Sequence, residues 1–323
     1  KTIFMHTTIK STIAGALLCA ALIISGSSCK YVPPTTPPPA KNTLLEKVAS
    51  DSRFTYLSVA VVRAGLSGTL SDKNASLTLF APTDAAFWAA GFASAEAVAQ
   101  APIETLKAIL LYHVLPSEVK SSSIPLAANT EVNTVANKPV YVTRTSNNKV
   151  FVNGVSVIQK DWDAKNGVIH VIDRVLIPAV GTIVATAQGN AQLSYLVAAV
   201  LRASQGSTNV AAVLSGAGPL TVFAPTNQAF INAGFATIDA INAADPAALT
   251  TILTYHVIAG RVFSSDLVNG AKVPTVNGGT VEIQLNGGAR VKGKSNTSAS
   301  NILITDIVAS NGVVHVIDQV LLP

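Results

Sequence analysis

Ten residues of the sequence, Thr78-Leu-Phe-Ala-Pro-Thr-Asp-Ala-Ala-Phe87, return 143 positions later as Thr221-Val-Phe-Ala-Pro-Thr-Asn-Gln-Ala-Phe230. A long match at a fixed spacing is typical of an internal repeat, and repeats decide the architecture of the chain that carries them. The motif therefore predicts that one structural unit occurs twice.

Two further blocks follow the first in the same order in both halves. They pair Ile109-Leu-Leu-Tyr-His-Val114 with Ile252-Leu-Thr-Tyr-His-Val257, and Asn166-Gly-Val-Ile-His-Val-Ile-Asp173 with Asn311-Gly-Val-Val-His-Val-Ile-Asp318. We therefore expect a first repeat at residues 41–178 and a second repeat at residues 179–323. Units of this length form their own cores, unlike the short units of solenoids.

Each repeat begins with helical patterns and ends with strand patterns. Thr43-Leu-Leu-Glu46 has the form of a capping box, and Thr83 and Thr226 each follow a proline and precede a helical stretch, as N-cap residues do. Later, alternating apolar residues flank Asn153-Gly154, which predicts a hairpin turn. The sequence therefore predicts an α+β unit with helices clustered before an antiparallel sheet.

The three blocks together resemble the motifs of fasciclin-like domains, and the resemblance covers residues 41–323 in two tandem copies. It implies that each repeat is a β-wedge or sandwich of mostly antiparallel strands with a cluster of helices. It also implies a surface or extracellular protein that mediates adhesion or binds matrix, because most members of the family do so.

The resemblance also implies candidate partner-binding residues. In some members, the Tyr-His pair and an Asp-Ile pair before the last block have been linked to partner binding. Their matches here are Tyr112-His113, Tyr255-His256 and Asp306-Ile307, whereas the first repeat departs from the pattern with Asp161-Trp162.

The first 40 residues predict export and anchoring. Residues 1–28 contain a lysine, a short apolar stretch and then small residues, as a signal peptide does, and the apolar stretch is too short for a membrane-spanning helix. The small residues end at Cys29, which we expect to carry the lipid of a bacterial lipoprotein. An ordinary signal peptide with an incidental Cys29 is the alternative. Residues 29–40 are rich in proline and predict an extended tether.

Composition excludes several classes of protein. Charged residues make up 12% and hydrophobic residues 49% of the chain. This composition excludes a disordered protein, because disordered chains have low hydrophobicity and high charge. The 22 basic and 17 acidic residues are scattered, so the sequence offers no stripe for nucleic acid. Cys19 and Cys29 are the two cysteines, so residues 41–323 contain no disulfide and no thiol nucleophile.

The histidines outside the leader form one pair in each repeat. His170 and His315 lie in apolar strands, which favours buried histidines bonded to the backbone. Zinc needs three or four ligands, and no further ligand stands at a suitable spacing, so we expect no metal and no cofactor. Thr83, Thr226, His170 and His315 are therefore expected to be structural.

Catalysis is not indicated by any motif. The sequence lacks a nucleophile elbow, a P-loop, a dinucleotide fingerprint and a zinc-protease helix. We expect a non-enzymatic, lipid-anchored protein of the cell envelope, in the outer membrane or at the cell surface, that binds a protein or polysaccharide of matrix or other cells. The alternative is an enzyme or small-molecule carrier that uses a cleft between the repeats. A passive structural role in the envelope is a third possibility.

Overall fold

The computed structural model describes residues 41–323. The predicted signal peptide, Cys29 and the proline-rich tether lie outside the described residues. Within residues 41–323, no helix combines the length and the apolar character that a membrane span requires.

The first repeat contains six helices and seven strands among its described residues. The helices are α1 (Leu44–Ala49), α2 (Thr55–Arg63), α3 (Ser67–Ser71), α4 (Asp84–Ala89), α5 (Ala95–Gln100) and α6 (Ile103–Tyr112). The strands are β1 (Leu77–Pro82), β2 (Val114–Leu115), β3 (Thr130–Asn133), β4 (Pro139–Arg144), β5 (Val150–Val152), β6 (Val155–Ala164) and β7 (Gly167–Ile172).

The second repeat has the same elements in the same order. Its helices are α7 (Ile183–Gln188), α8 (Ser194–Ala203), α9 (Val210–Ser215), α10 (Asn227–Asn232), α11 (Ile238–Ala243) and α12 (Pro246–Tyr255). Its strands are β8 (Leu220–Pro225), β9 (Val257–Ala259), β10 (Lys272–Pro274), β11 (Thr280–Gln284), β12 (Arg290–Lys292), β13 (Ser300–Ala309) and β14 (Gly312–Ile317).

Each repeat forms one sheet of seven strands. The strand order is β2-β1-β7-β6-β5-β4-β3 in the first repeat and the equivalent order in the second. β1 runs parallel to β7, with Phe80 opposite His170, and the other neighbours are antiparallel. The predicted α+β class with mostly antiparallel strands is confirmed.

One strand interrupts the helical half of each repeat, contrary to the expected order of helices before the sheet. β1 covers the start of the repeated motif, and all six of its residues are buried. A strand buried on both faces is a continuous apolar run without alternation, so its sequence does not distinguish it from a buried helix segment. The motif is therefore a central strand followed by a helix cap.

The two faces of the sheet carry two parts of the core. In β1, Leu79 and Ala81 pack against the helices. Phe80 points to the other face, where it packs with Tyr112 and with valines of β4 and β5. The sheet is therefore folded over itself as a wedge, with helices covering its outer face near β1 and β7.

Helix caps fix where the helices begin. Thr43 and Glu46 form the predicted capping box of α1. Thr83 accepts a hydrogen bond from the Ala86 N–H at the start of α4, and Thr226 caps α10 in the same way. These bonds satisfy N–H groups that otherwise have no partner inside the helix.

Candidate functional site

The tyrosine of each Tyr-His pair lies in the core. Tyr112 is 1% exposed, its hydroxyl donates to the Pro139 carbonyl at 2.8 Å, and it accepts from the Asn153 amide at 2.9 Å. Burial raises the pKa of Tyr112 to about 12. Tyr255 is equally buried and donates to the Thr280 carbonyl. Both hydroxyls thus join the end of a helix to the wedge.

The histidine of each pair is also buried and has two backbone partners. The His113 Nδ1–H donates to the Ile109 carbonyl at 2.7 Å, and Nε2 accepts from the Leu176 N–H at 2.9 Å. His256 makes the corresponding two bonds at 2.8 Å each. Burial lowers the pKa of each of these histidines to about 4, although the carbonyl bond opposes the shift. In the folded protein, the Tyr-His pairs therefore offer no surface to a partner.

His170 lies in β7 and His315 lies in β14. Each connects its strand to the loop that follows the short strand β2 or β9. The Nε2–H of His170 donates to the Val119 carbonyl at 2.9 Å, and its Nδ1 accepts from the Asp161 N–H at 3.2 Å. His315 makes the equivalent bonds at 3.0 and 3.2 Å. Burial lowers the pKa of both imidazoles. The part of the chain that the structure describes contains no group of three or more His, Cys, Asp or Glu placed to hold a metal.

Asp161 and Asp306 occupy the same position in the two repeats. Each has a positive φ, 58° and 64°, at an irregularity in the long strand β6 or β13. Each carboxylate accepts the backbone N–H and the hydroxyl of one serine, Ser121 or Ser264. Burial alone would raise the pKa of Asp161, but the bonds from Ser121 outweigh it and lower this pKa. We refer to each aspartate with its serine as the Asp-Ser corner.

The Asp-Ser corner of the second repeat is closed by the first repeat. The Arg174 guanidinium donates to Asp306 at 3.1 Å and to the Thr305 hydroxyl at 3.2 Å. Only 3% of the Asp306 side chain is exposed. Gly154 lies against the same carboxylate, where a Cβ would stand 2.6 Å from the Asp306 Cγ. Asp306 therefore holds the two repeats together, and Ile307 beside it is partly buried.

A second set of contacts lies next to the corner. The Arg261 guanidinium stacks 3.9 Å from the centre of the Tyr141 ring. The Asn129 amide donates to the Arg261 carbonyl at 2.8 Å and to Asp266 at 3.1 Å. Tyr141 also packs against Phe263, whose side chain is completely buried. The two repeats thus share a small apolar core of their own.

The corresponding face of the first repeat is polar. Where the second repeat has Arg261, Phe263 and Val308, the first has Glu118, Lys120 and Asp163. The Lys120 ammonium lies 3.1 Å from Asp163 and 3.9 Å from Glu118. We call this surface, together with Asp161 and Trp162, the open face.

Two residues of interest were not predicted from the sequence. Arg174 stands where the second repeat has Gln319, within a block that otherwise matches, and this divergence is the signal that points to it. Trp88 on α4 is 68% exposed, and its counterpart Ile231 is 40% exposed. A tryptophan directly after the repeated motif is unusual enough to draw attention, because exposed aromatic side chains are enriched where proteins bind partners.

Comparisons with known proteins agree with the repeated architecture. The model of the fasciclin domain matches residues 52–178 and 192–323, which is most of the chain. The pig protein "Transforming growth factor-beta-induced protein ig-h3" is 30% identical over 252 residues, 77% of this chain and 35% of that protein. The Synechocystis "Protein sll1483" is 38% identical over 143 residues, 44% of this chain and 73% of that protein.

A solved FAS1 domain pair from the insect cell adhesion molecule fasciclin I is similar with 18% identity and a TM-score of 0.40, covering 86% of this chain and 96% of that one. The chain spans about a third of the length of ig-h3. Fasciclin domains are found in cell adhesion proteins. The chain, with its two matched domains, belongs to the fasciclin domain family.

Proposed function

We propose that this protein is a non-catalytic adhesion protein of the cell envelope. Its partner is a protein or polysaccharide of the matrix or of another cell surface. In this proposal, residues 1–28 direct export, Cys29 carries the lipid, and residues 29–40 hold the two repeats away from the outer membrane or cell surface. Membership of a family found in cell adhesion proteins supports the proposal.

Exposure of Trp88 is the observation that carries the proposal. With 68% of its surface in water, this side chain contributes little to the core. Tryptophan is among the residues that most often dominate binding energy once a partner covers them. Ile231 holds the equivalent position and provides a matched control within the same molecule.

A non-catalytic role is supported by the state of the titratable groups. The four histidines of residues 41–323 are buried and bonded to backbone groups. Their lowered pKa values keep the imidazoles neutral at pH 7. A general base needs an accessible nitrogen near a substrate, and these nitrogens are already occupied.

Binding is tested with the full chain expressed in its host. Adhesion of the cells to immobilised matrix proteins and polysaccharides is compared for wild type, Trp88→Ala and Ile231→Ala. We expect Trp88→Ala to weaken adhesion about tenfold or more, and Ile231→Ala to change it less than about threefold. Adhesion no greater than that of cells lacking the protein, or equal loss in both variants, would contradict the proposal.

Anchoring is tested by the intact mass and membrane partition of the protein from the same cells. The mature protein should begin at a diacylated Cys29, and Cys29→Ala should release it from the membrane, because stable anchoring needs two acyl chains. An unmodified protein that partitions into the soluble fraction would show that it is secreted without an anchor.

A further inference from the structure

A cleft of about 380 Å³ lies between the two repeats, beside the Arg174–Asp306 pair. This volume is within the range of small-molecule sites in proteins, which begins at about 300 Å³. Its walls are mainly apolar and come from both repeats. They include Ala86 and Ala89 of α4 and Ala90 directly after it in the first repeat, and Thr186, Ile304 and Ile307 in the second.

At two positions that line the cleft, the second repeat has a smaller residue than the first repeat has at the equivalent position. In the first repeat, Lys47 of α1 lies over the ring of Trp162, 4.6 Å from its centre. The equivalent positions of the second repeat are Thr186 of α7 and Ile307 of β13, and both line the cleft. In the first repeat, the large side chains of Lys47 and Trp162 therefore fill this position. In the second repeat, the smaller side chains leave space.

The charged groups of the cleft neutralise each other. Arg174 and Asp306 form an ion pair at 3.1 Å, and Asp306 also accepts two bonds from Ser264. A charged ligand would lose its hydration in this cleft without gaining an opposite charge as a partner, and such a transfer is unfavourable. The arrangement favours a ligand without charge.

Two polar groups of the cleft have unused hydrogen-bonding capacity. The Thr186 Oγ1 is buried, and no residue among 41–323 is its hydrogen-bond partner. Buried hydroxyls are nearly always paired in native proteins, so an unpaired one indicates a missing partner. In addition, Arg174 bonds through Nη1 and Nη2 and is 41% exposed, so its Nε–H is a donor without an assigned acceptor in the described chain. A neutral oxygen of a ligand could pair with either group.

We propose that the cleft binds an uncharged, mostly aliphatic molecule that carries a hydroxyl or ester oxygen. The apolar walls bury the chain of the ligand, and its oxygen accepts a hydrogen bond from the Thr186 hydroxyl, with the Arg174 Nε–H as a second donor. This activity is independent of adhesion through Trp88, and it requires both repeats because each supplies one wall.

The full chain is titrated with N-phenyl-1-naphthylamine, an uncharged fluorophore that brightens in apolar sites, and the bound fluorophore is then displaced with 1-decanol or with decanoate. We expect saturable binding, and 1-decanol should displace the fluorophore at about a tenfold lower concentration than decanoate. No saturable binding, or equal displacement by decanoate, would overturn the proposal.

Three variants localise the binding. Ile307→Trp introduces the side chain that the first repeat has at this position, and it should weaken binding of the fluorophore about tenfold or more. Thr186→Val keeps the shape of the side chain but removes its hydroxyl, and should weaken binding of 1-decanol about fivefold. Val62→Trp adds an aromatic ring on the exposed surface of α2, away from the cleft, and serves as the matched control.

The thermal unfolding midpoint of each variant is measured to establish that it folds. Unchanged binding in both Ile307→Trp and Thr186→Val would place the ligand elsewhere and overturn the proposal. Should Ile307→Trp fail to fold, the Thr186→Val result decides, since that replacement adds no volume.

Discussion

The Asp-Ser corners of the two repeats have the same local structure and different surroundings. In both, an aspartate with positive φ accepts two bonds from a serine, and its N–H donates to a buried histidine. At Asp306, the first repeat supplies Arg174 and closes the corner. Asp161 instead lies near Lys120 of the same repeat, which forms an ion pair with Asp163. The motif therefore specifies the fold of the corner, and the residues around it decide what the corner contacts.

The side chains beside the two Asp-Ser corners differ in polarity: the one that contacts the other repeat is apolar, and the one that faces water is charged. Phe263 of the second repeat is buried against Tyr141 of the first, whereas its counterpart Lys120 lies on the surface in ion pairs. An apolar face without a partner would promote aggregation, and a charged face without compensation would not pack against another domain. We infer that the second repeat is adapted to hold the first.

The largest expected effect is on the free energy of unfolding, which should depend on Phe263 in the contact between the repeats and hardly at all on Lys120 of the open face. Phe263→Ala removes a completely buried ring and should lower the free energy of unfolding by about 4 kcal/mol. Lys120→Ala removes surface ion pairs and should change it by less than about 1 kcal/mol. Denaturant unfolding followed by circular dichroism gives both values. Similar values for the two variants would show that the faces are equivalent.

The two repeats should respond equally to acid, in contrast to their different faces. The pKa of His113 and of His256 is lowered to about 4 in the folded protein, whereas an unfolded histidine titrates near 6.5. The unfolded state therefore binds more protons between these values. Stability is complete above about pH 6.5 and falls as the pH drops toward 4, by about 3 kcal/mol for each histidine.

Unfolding free energies measured from pH 7.5 to pH 4 test this equality. Single variants His113→Gln and His256→Gln, each compared with wild type, should both flatten the pH profile by the same amount. A profile that is flattened by one variant and unchanged by the other would show that the two imidazoles are in different environments.

The smallest expected effect concerns the ion pair that closes the second corner. Arg174→Gln introduces the residue that the second repeat has at the equivalent position, Gln319. It leaves the Asp306 carboxylate without its cation but with both bonds from Ser264, so we expect a loss of about 1–2 kcal/mol, discounted because Arg174 is 41% exposed. The control Gln319→Arg should be neutral. A loss as large as that of Phe263→Ala would contradict the assigned role.

Local patterns in the sequence predicted much of the fold. The caps at Thr43, Thr83 and Thr226 and the turn at Asn153-Gly154 depend on neighbours a few residues away, so their residue types are informative. The central strands β1 and β8 could not be predicted in this way, because uniformly buried strands have no periodicity.

The candidate sites depend on contacts that are distant in sequence, and these were harder to predict. The Tyr-His motif occurs in both repeats because it joins the end of a helix to the wedge. Its recurrence in the sequence does not show whether its side chains are buried or exposed. The role of Arg174 depends on how one repeat packs against the other. Only the difference between Arg174 and Gln319 was visible in the sequence.

The accessibility of the two matched faces in solution tests the central claim most directly. Cys19 and Cys29 are the two cysteines of the chain, so Lys120→Cys and Phe263→Cys each place a single thiol in residues 41–323. With Cys19 and Cys29 replaced by serine, the rates of maleimide labelling are compared at pH 7. We predict that labelling at position 263 is about 100-fold slower than at position 120, because reaction there requires the repeats to open. Equal rates would show that the repeats are separate in solution and would contradict the account.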